Sequence, residues 1–179
     1  GLGDVYKRQD LYISVNISTK DFCYMDVYKT ITSLVEKYKI VPSTLKLEIT
    51  ETAIMTGTAG EIEIIEQFRK YGFEVEIDDF GSGYSSLNML KDVKVDALKL
   101  DRVFFESGDN DERGKDIIQS VIKLAQALDL HTISEGVEER KQVEFLKEMH
   151  CDLIQGYVFA KPMPVPEFEQ LAFGTEAAD

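Results

Sequence analysis

The sequence is poor in the residues that usually hold zinc. It has two cysteines and two histidines among 179 residues. Cys23 and Cys151 form no CxxC pair, and His131 and His150 each lack a second ligand at a suitable spacing, so we expect no zinc site. We expect both cysteines to be buried, reduced thiols, which favours a reducing compartment, the cytoplasm.

Basic residues and long apolar runs are also scarce. Twenty Lys and Arg stand against 33 Asp and Glu, which gives a formal net charge of −13 at pH 7. This balance disfavours DNA, RNA and direct membrane contact as partners. No segment approaches the roughly 20 apolar residues that cross a bilayer, and no signal-peptide pattern opens the chain. An anionic substrate would need a bound metal ion to recruit it.

The sequence does contain a regular alternation of apolar, β-rich segments with amphipathic helical segments. The predicted strands cover residues 11–17, 45–50, 73–78, 95–100, 130–134 and 152–155. The predicted helices cover residues 27–38, 61–71, 85–90, 115–128 and 138–149, with a last short helix after Pro162. Such alternation implies parallel strands with helical crossovers, and no GxGxxG follows the first strand to support a Rossmann unit. We therefore predict an α/β fold, a TIM-like (β/α)8 barrel that is incomplete, with about six of its eight strands.

The chain divides into one domain with two short flanks. Residues 1–9 follow no periodicity and are predicted to be a disordered or foreign leader, residues 10–173 form the partial barrel, and residues 174–179 form a frayed tail. A barrel that lacks two strands cannot close, so the edges at residues 11–17 and 152–155 should be exposed. We expect marginal stability or aggregation of the isolated chain.

Polar residues stand at the carboxyl end of every predicted strand, where barrel enzymes build their active sites. In chain order they are Asn16, Glu48, Asp78 with Asp79, Lys99, Glu135 and Gln155. Asn, Asp and Glu offer only oxygen ligands, which favours Mg²⁺ or Mn²⁺. Two adjacent carboxylates need a compensating cation, and one that bridges two metal ions supports in-line attack on a phosphodiester. Lys99 then fits a charge-stabilising group, and Glu135 a general base.

Each of these residues also has a simpler interpretation. Adjacent aspartates often cap a loop, a strand-end lysine such as Lys99 is often a solvated tip, and Glu135 could start a turn. Glu48 points more strongly to function because an unpaired carboxylate in a buried strand is costly. On the pattern alone, an enolase-like barrel lyase or isomerase with Lys99 as base also stays open, although the aspartate pair suits a two-metal site better.

Several segments resemble those of one known family. SVNIS, LEITET, IDDFGSGYSSL, LKLDR, ISEGVE and QGYVFAKPMP occur in the order and spacing of EAL domains, the bacterial cyclic di-GMP phosphodiesterases, over about residues 10–171. The resemblance implies a partial EAL domain over residues 10–173, two Mg²⁺ or Mn²⁺ ions, and hydrolysis of cyclic di-GMP to linear pGpG. It also implies a homodimer in the intact protein.

The resemblance assigns a role to each candidate residue. The implied ligands of the two metal ions are Asn16, Glu48, Asp78 as the bridging carboxylate, and Asp79. Lys99 would contact the catalytic water or the phosphate, and Glu135 would act as base or through-water metal ligand. Glu138 and Gln155 would complete the site. Glu51 would anchor the loop at residues 80–86, which in the family couples the metal site to the dimer interface.

One family feature is absent from the sequence. The Glu-Ala-Leu motif, whose glutamate is a ligand of the first metal ion, does not occur. We therefore expect the parent gene product to be an active phosphodiesterase and this chain to be an inactive fragment of it. The alternative is a regulatory module that binds cyclic di-GMP without cutting it. Upstream sensory or GGDEF domains, and tethering of the intact protein to a membrane through upstream segments, stay open.

Overall fold

The computed structural model describes residues 11–81, 87–105 and 112–174. Within these ranges the strands are β1 (Ile13–Ile17), β2 (Leu45–Thr50), β3 (Glu74–Phe80), β4 (Ala97–Leu100), β5 (His131–Ser134) and β6 (Leu153–Ile154). The α-helices are α1 (Thr19–Tyr24), α2 (Val27–Tyr38), α3 (Glu51–Thr56), α4 (Ala59–Tyr71), α5 (Leu87–Asp92), α6 (Glu112–Ala127), α7 (Arg140–Glu148) and α8 (Val165–Phe173). Two short 3₁₀ turns cover Pro42–Thr44 and Arg102–Phe105.

The six strands form one parallel sheet in chain order, from β1 to β6. Each strand pairs in parallel with the next one along the chain, and such pairing requires a crossover connection between the two strands. In the described part of the chain β1 and β6 are the two edges of the sheet, which therefore does not close into a barrel. The prediction of an incomplete parallel α/β barrel is confirmed, and so are the two exposed edges.

The two faces of the sheet differ in chemistry. Because successive side chains of a strand point to opposite faces, the odd-numbered residues of β2 share one face and the even-numbered residues share the other. The first face forms a single apolar core with the helices, in which the fully buried residues include Leu47, Ile49, Val75, Ile77, Phe68, Ile122 and Leu146. The second face carries charged residues, among them Lys46 and Glu48 of β2. The candidate site lies on this second face.

Local signals explain where the main helices begin and end. Asp26, the predicted N-cap of α2, accepts a hydrogen bond from the backbone N–H of Lys29. Thr58 and Glu61 form a capping box at the start of α4, two residues earlier than predicted. Gly72 ends α4 with a φ of +112°, in the left-handed region that glycine adopts without strain.

The structure corrects several predictions. Cys23 is exposed on α1 instead of buried, because this short helix follows the edge strand and contributes no buried residue. Cys151 lies just before β6 and is half-buried, and both thiols are free. Helices α1 and α3 were not predicted.

Other predicted boundaries shift by a few residues, and some predictions cannot be compared with the structure. The helix predicted from residue 85 is α5, which begins at Leu87 in the described ranges, and the helix predicted over residues 138–149 is α7, from Arg140 to Glu148. The predicted leader and the tail from residue 175 lie outside the described residues. No described helix has the length and hydropathy of a membrane span.

Candidate active site at the carboxyl ends of the strands

Three carboxylates converge on the ammonium group of Lys99. Its Nζ lies 2.7 Å from Glu48 Oε1, 3.1 Å from Asp78 Oδ1 and 2.6 Å from Glu135 Oε1. The carboxylates come from β2, from β3 and from the residue that follows β5, so the ends of the strands bring together residues up to 87 positions apart (135 − 48) in sequence. The Lys99 side chain is only 4% exposed, which excludes the solvated tip that a strand-end lysine often forms. We call these four residues the Lys99 cluster.

The charges of the Lys99 cluster shift the protonation of its members. Burial disfavours a charged Lys99, but its hydrogen bonds to Glu135 and Glu48 and the charge of Asp78 outweigh burial and raise the Lys99 pKa. Burial also raises the pKa of Glu135, against the opposing effect of Lys99. Three carboxylates against one ammonium leave the ionised cluster with excess negative charge. A carboxyl with a raised pKa beside a permanently charged lysine is the pairing expected of a general base and an anion-stabilising group.

A β-bulge places the two adjacent aspartates against one residue of the next strand. The register passes from Ile77 opposite Leu98 to Phe80 opposite Leu100, so Asp78 and Asp79 together face Lys99. Asp79 has a φ of +56°, a left-handed conformation that aspartate tolerates better than most residues. The Asp79 backbone N–H donates to Asp78 Oδ1 at 3.0 Å. The bulge is the local feature that brings both carboxylates to the end of β3.

Asp101 is a site residue that the sequence interpretation missed. It directly follows β4, and its carboxyl shares a hydrogen bond with Asp79. Burial, followed by the charges of Asp78 and Asp101, raises the pKa of Asp79. The signal was present in the LKLDR segment, where a second charged residue follows Lys99 at the strand end. Asp78, Asp79 and Asp101 thus form an acidic group beside the Lys99 cluster.

The candidate residues of the two edge strands are exposed, in contrast to the buried Lys99. Asn16 on β1 is the register partner of Glu48, but it is exposed. Gln155 follows β6, where its backbone N–H donates to Ser134 O at 2.8 Å and its side chain is exposed. Within the part of the chain that the structure describes, neither side chain is bonded to the Lys99 cluster. Strand register therefore places Asn16 beside Glu48, and a backbone hydrogen bond places Gln155 beside the end of β5.

Glu51 and Glu138 flank the cluster. Glu51 opens α3, is buried, and its Oε2 accepts a hydrogen bond from the Gly81 backbone N–H at 3.0 Å. This contact ties α3 to the end of β3, where the predicted loop at residues 80–86 begins; residues 82–86 lie outside the described ranges. Glu138 is exposed at the rim, with Oε1 3.7 Å from Arg102 Nη1.

The chemistry of the site fits hard divalent cations. In the ranges that the structure describes, no three His, Cys, Asp or Glu side chains are already arranged as a metal site, and the Lys99 ammonium lies where Glu48, Asp78 and Glu135 converge. The available donors are nonetheless all oxygens, come from neighbouring strands and carry excess negative charge. These are the donors that Mg²⁺ and Mn²⁺ prefer.

Comparison with known sequences gives a family and named relatives. A family model described as "EAL domain" matches residues 3–162. Over 91% of its length the chain is 37% identical to the cyclic di-GMP phosphodiesterase NbdA of Pseudomonas aeruginosa, of which it covers 21%. Over 92% of its length it is 33% identical to the cyclic di-GMP phosphodiesterase PdeR of Escherichia coli, of which it covers 25%. The chain thus spans about a fifth to a quarter of these relatives.

Solved structures share the architecture. The chain superposes on the EAL enzyme Bd1971 in its cAMP-bound form with a TM-score of 0.88 and 33% identity, over 96% of this chain and 46% of that one. It superposes on the PaMucR phosphodiesterase in complex with c-di-GMP with a TM-score of 0.83 and 33% identity, over 91% of this chain and 72% of that one. The open six-stranded sheet therefore corresponds to a part of the EAL barrel.

Proposed function

Because the chain belongs to the EAL domain family, we propose that its site is that of a phosphodiesterase that hydrolyses cyclic di-GMP to linear pGpG. Relatives that match about nine-tenths of the chain are named as cyclic di-GMP phosphodiesterases, and the similar PaMucR structure contains c-di-GMP. The observation that carries the proposal is the Lys99 cluster, in which one buried ammonium meets three carboxylates, two from strands β2 and β3 and one from the residue after β5.

We further propose that two Mg²⁺ or Mn²⁺ ions bind at this end of the sheet. Their ligands would be Asn16, Glu48, Asp78 and Asp79, with Asp78 shared between the ions. When bound, such ions activate a water molecule and neutralise charge that develops on a phosphodiester. They also explain how a chain with a net charge of −13 can accept an anionic dinucleotide.

The chain's own residues supply the remaining chemistry. Lys99, whose pKa is raised, stays protonated and can donate a hydrogen bond to a phosphate oxygen. Glu135, whose pKa is raised by burial, can accept a proton from the attacking water. The water oxygen forms the new bond to phosphorus, and the bond from phosphorus to the leaving ribose oxygen breaks. That oxygen takes a proton from solvent and leaves as a hydroxyl, and Glu135 returns its proton to solvent. Glu138 and Gln155 complete the rim of the site.

The wider assembly is part of the same proposal. Glu51 holds the backbone N–H of Gly81 at the start of the segment that would couple the metal site to a dimer interface. We propose that the intact protein is a homodimer that works in the cytoplasm. Sensory or GGDEF domains upstream would regulate it.

A second candidate function is a module that binds cyclic di-GMP without cutting it. The edge position of β1 favours this candidate, because Asn16 is exposed and the described sheet is open between β1 and β6. If the metal ligand on the β1 side is not held in a fixed position, the site could bind the dinucleotide and still fail to align an attacking water. Metal-independent binding of cyclic di-GMP without formation of pGpG would support this function.

The test compares two matched aspartate substitutions. The missing Glu-Ala-Leu motif predicts an inactive fragment, but the Lys99 cluster is assembled in this chain, so we propose that the chain retains measurable activity. Purified chain is mixed with cyclic di-GMP and Mn²⁺, and pGpG is quantified by chromatography. We expect Asp78→Asn to lower the initial rate by about 100-fold or more, since a neutral amide with one oxygen cannot replace a carboxylate shared between two cations. Asp116→Asn, on an exposed position of α6, should leave the rate unchanged. Equal rates for both variants, or pGpG formed in EDTA, would contradict the proposal.

A further inference from the structure

A second charged cluster lies directly beneath the proposed site, on the same face of the sheet. Lys46 is two residues before Glu48 on β2, and Glu76 is two residues before Asp78 on β3. Lys46 Nζ lies 2.8 Å from Glu74 Oε2 and 3.1 Å from Glu76 Oε1. The same ammonium lies 4.1 Å from the centre of the Tyr12 ring, a cation–π contact. The proposed reaction uses none of these groups.

The members of this second cluster differ in how deeply they are buried. The Glu76 side chain is 1% exposed and that of Lys46 is 11% exposed, whereas that of Glu74 is 42% exposed. Water therefore screens Glu74 but screens the Lys46–Glu76 pair far less. A buried ion pair of this kind is costly to form, and its contribution to stability is small or even negative. Stability alone is a weak reason for its presence.

The pair is close enough to act on the proposed metal ligands. Glu76 is the direct register partner of Glu48 on one side and of Ala97 on the other. Neighbouring strands are about 4.8 Å apart, so the Glu76 backbone is one strand spacing from that of Glu48. Ala97 lies on β4, the strand that also carries Lys99, and its small side chain places no bulky group beside Glu76. Burial raises the pKa of Glu76, and the charges of Glu48 and Lys99 also act on Glu76 across this spacing, because the first raises that pKa and the second lowers it.

We propose that Lys46 and Glu76 are positioning residues that set the divalent-cation affinity of the site above them. The negative charge of Glu76 strengthens cation binding by Glu48 and Asp78, and the positive charge of Lys46 weakens it. Lys46 also binds the Glu76 carboxylate. Glu76 therefore does not compete with Glu48 for contact with Lys99 or with the cation. This inference rests on the proposed function, because it concerns the metal site named there.

The two single substitutions should therefore shift cation affinity in opposite directions. Free Mn²⁺ is measured by electron paramagnetic resonance as the 179-residue chain is titrated. The pH is held at about 8, so that the carboxyl group of Glu76 is ionised although burial raises its pKa. Glu76→Gln should weaken Mn²⁺ binding by about tenfold, and Lys46→Met should strengthen it several-fold. The double variant should return close to the unchanged chain. Glu74→Gln, the exposed control, should change the affinity by less than about twofold.

The outcomes separate the inference from the proposed function. If Glu76→Gln and Lys46→Met both weaken Mn²⁺ binding, or if Glu76→Gln binds as the unchanged chain does, the pair has only a structural role and the inference is wrong. If the unchanged chain binds no Mn²⁺, both the inference and the proposed metal site are contradicted. Thermal melting of each variant shows whether it folds. If Lys46→Met does not fold, Glu76→Gln is compared with Glu74→Gln. The inference then holds only if Glu76→Gln weakens Mn²⁺ binding and Glu74→Gln does not.

Discussion

The centre and the edges of the sheet present opposite environments to the same kinds of residue. On β3, Ile77 is fully buried, whereas Ile13 on β1 is 67% exposed. At the strand ends, Lys99 of β4 is buried among three carboxylates, whereas Asn16 of β1 faces solvent. A strand with a partner on each side is fixed by packing and by side-chain contacts, whereas an edge strand in the described sheet is positioned by one ladder of hydrogen bonds. The centre of the site is therefore preorganised, and its edge side is not.

Removal of the charge at the centre of the sheet should have the largest effect. Lys99→Met leaves buried carboxylates of the Lys99 cluster without compensation, which we expect to lower the free energy of unfolding by about 3–5 kcal/mol. Urea denaturation in EDTA measures this loss. Lys161→Met is the matched change beyond the β6 edge, where the lysine is exposed over the Tyr157 ring, and it should cost less than about 1 kcal/mol. Equal losses would contradict the contrast between centre and edge.

Truncation of matched isoleucines tests the packing side of the same contrast. Ile77→Ala leaves a cavity in the fully buried core and should cost about 3 kcal/mol. Ile13→Ala at the exposed edge should cost less than about 0.5 kcal/mol. Both values come from urea denaturation monitored by circular dichroism. A large loss for Ile13→Ala would mean that β1 is covered in solution, for example by association of two chains.

Two aspartates that play the same backbone role give a smaller contrast. Asp96, just before β4, accepts the Val75 backbone N–H at 2.9 Å and pairs with Arg69. Asp152, just before β6, accepts the Thr132 backbone N–H at 2.8 Å. We expect Asp96→Ala to cost about 2 kcal/mol and Asp152→Ala about 1 kcal/mol, because Asp96 also loses its arginine partner. Asp96→Ala should therefore have a lower melting temperature than Asp152→Ala. A lower melting temperature for Asp152→Ala would refute this explanation.

The smallest effect is expected from a charge on α1, the helix that follows the edge strand β1. Hydrogen bonds from the Ser18 hydroxyl and backbone N–H lower the pKa of Asp21 in α1. Because the folded-state pKa is depressed, this stabilisation is present above the unfolded pKa of about 3.9 and is lost as the pH falls through the folded pKa. Asp21→Asn should therefore lower stability by less than about 1 kcal/mol at neutral pH. Near pH 2 the two proteins should unfold at the same urea concentration.

Much of the fold was predictable because its signals are local. Six apolar segments and the amphipathic helices between them are read from periodicity alone, and Asp26 is recognisable as a helix cap. The strand-end positions of Glu48, Asp78, Lys99 and Glu135 were predictable for the same reason. Parallel strands align their carboxyl ends, so one polar residue per strand end predicts a cluster.

What could not be predicted depends on how the strands pair. The bulge that sets Asp78 and Asp79 against Lys99 depends on the register between β3 and β4, and no residue type in the segment predicts it. The Lys46–Glu76 pair arises because β2 and β3 align so that Lys46 lies beside both glutamates of β3. The exposure of Cys23 follows from its place beside the sheet edge, which periodicity does not report.

A single-turnover assay tests the central claim most directly. The chain is placed in excess over cyclic di-GMP with saturating Mn²⁺, so that even one slow cycle leaves product, and a parallel sample contains EDTA. We predict that pGpG forms with Mn²⁺, does not form in EDTA, and forms at least about 100-fold more slowly with Asp78→Asn. Cyclic di-GMP that binds the chain but remains intact with Mn²⁺ would contradict the account and leave the binding module as the function of this chain.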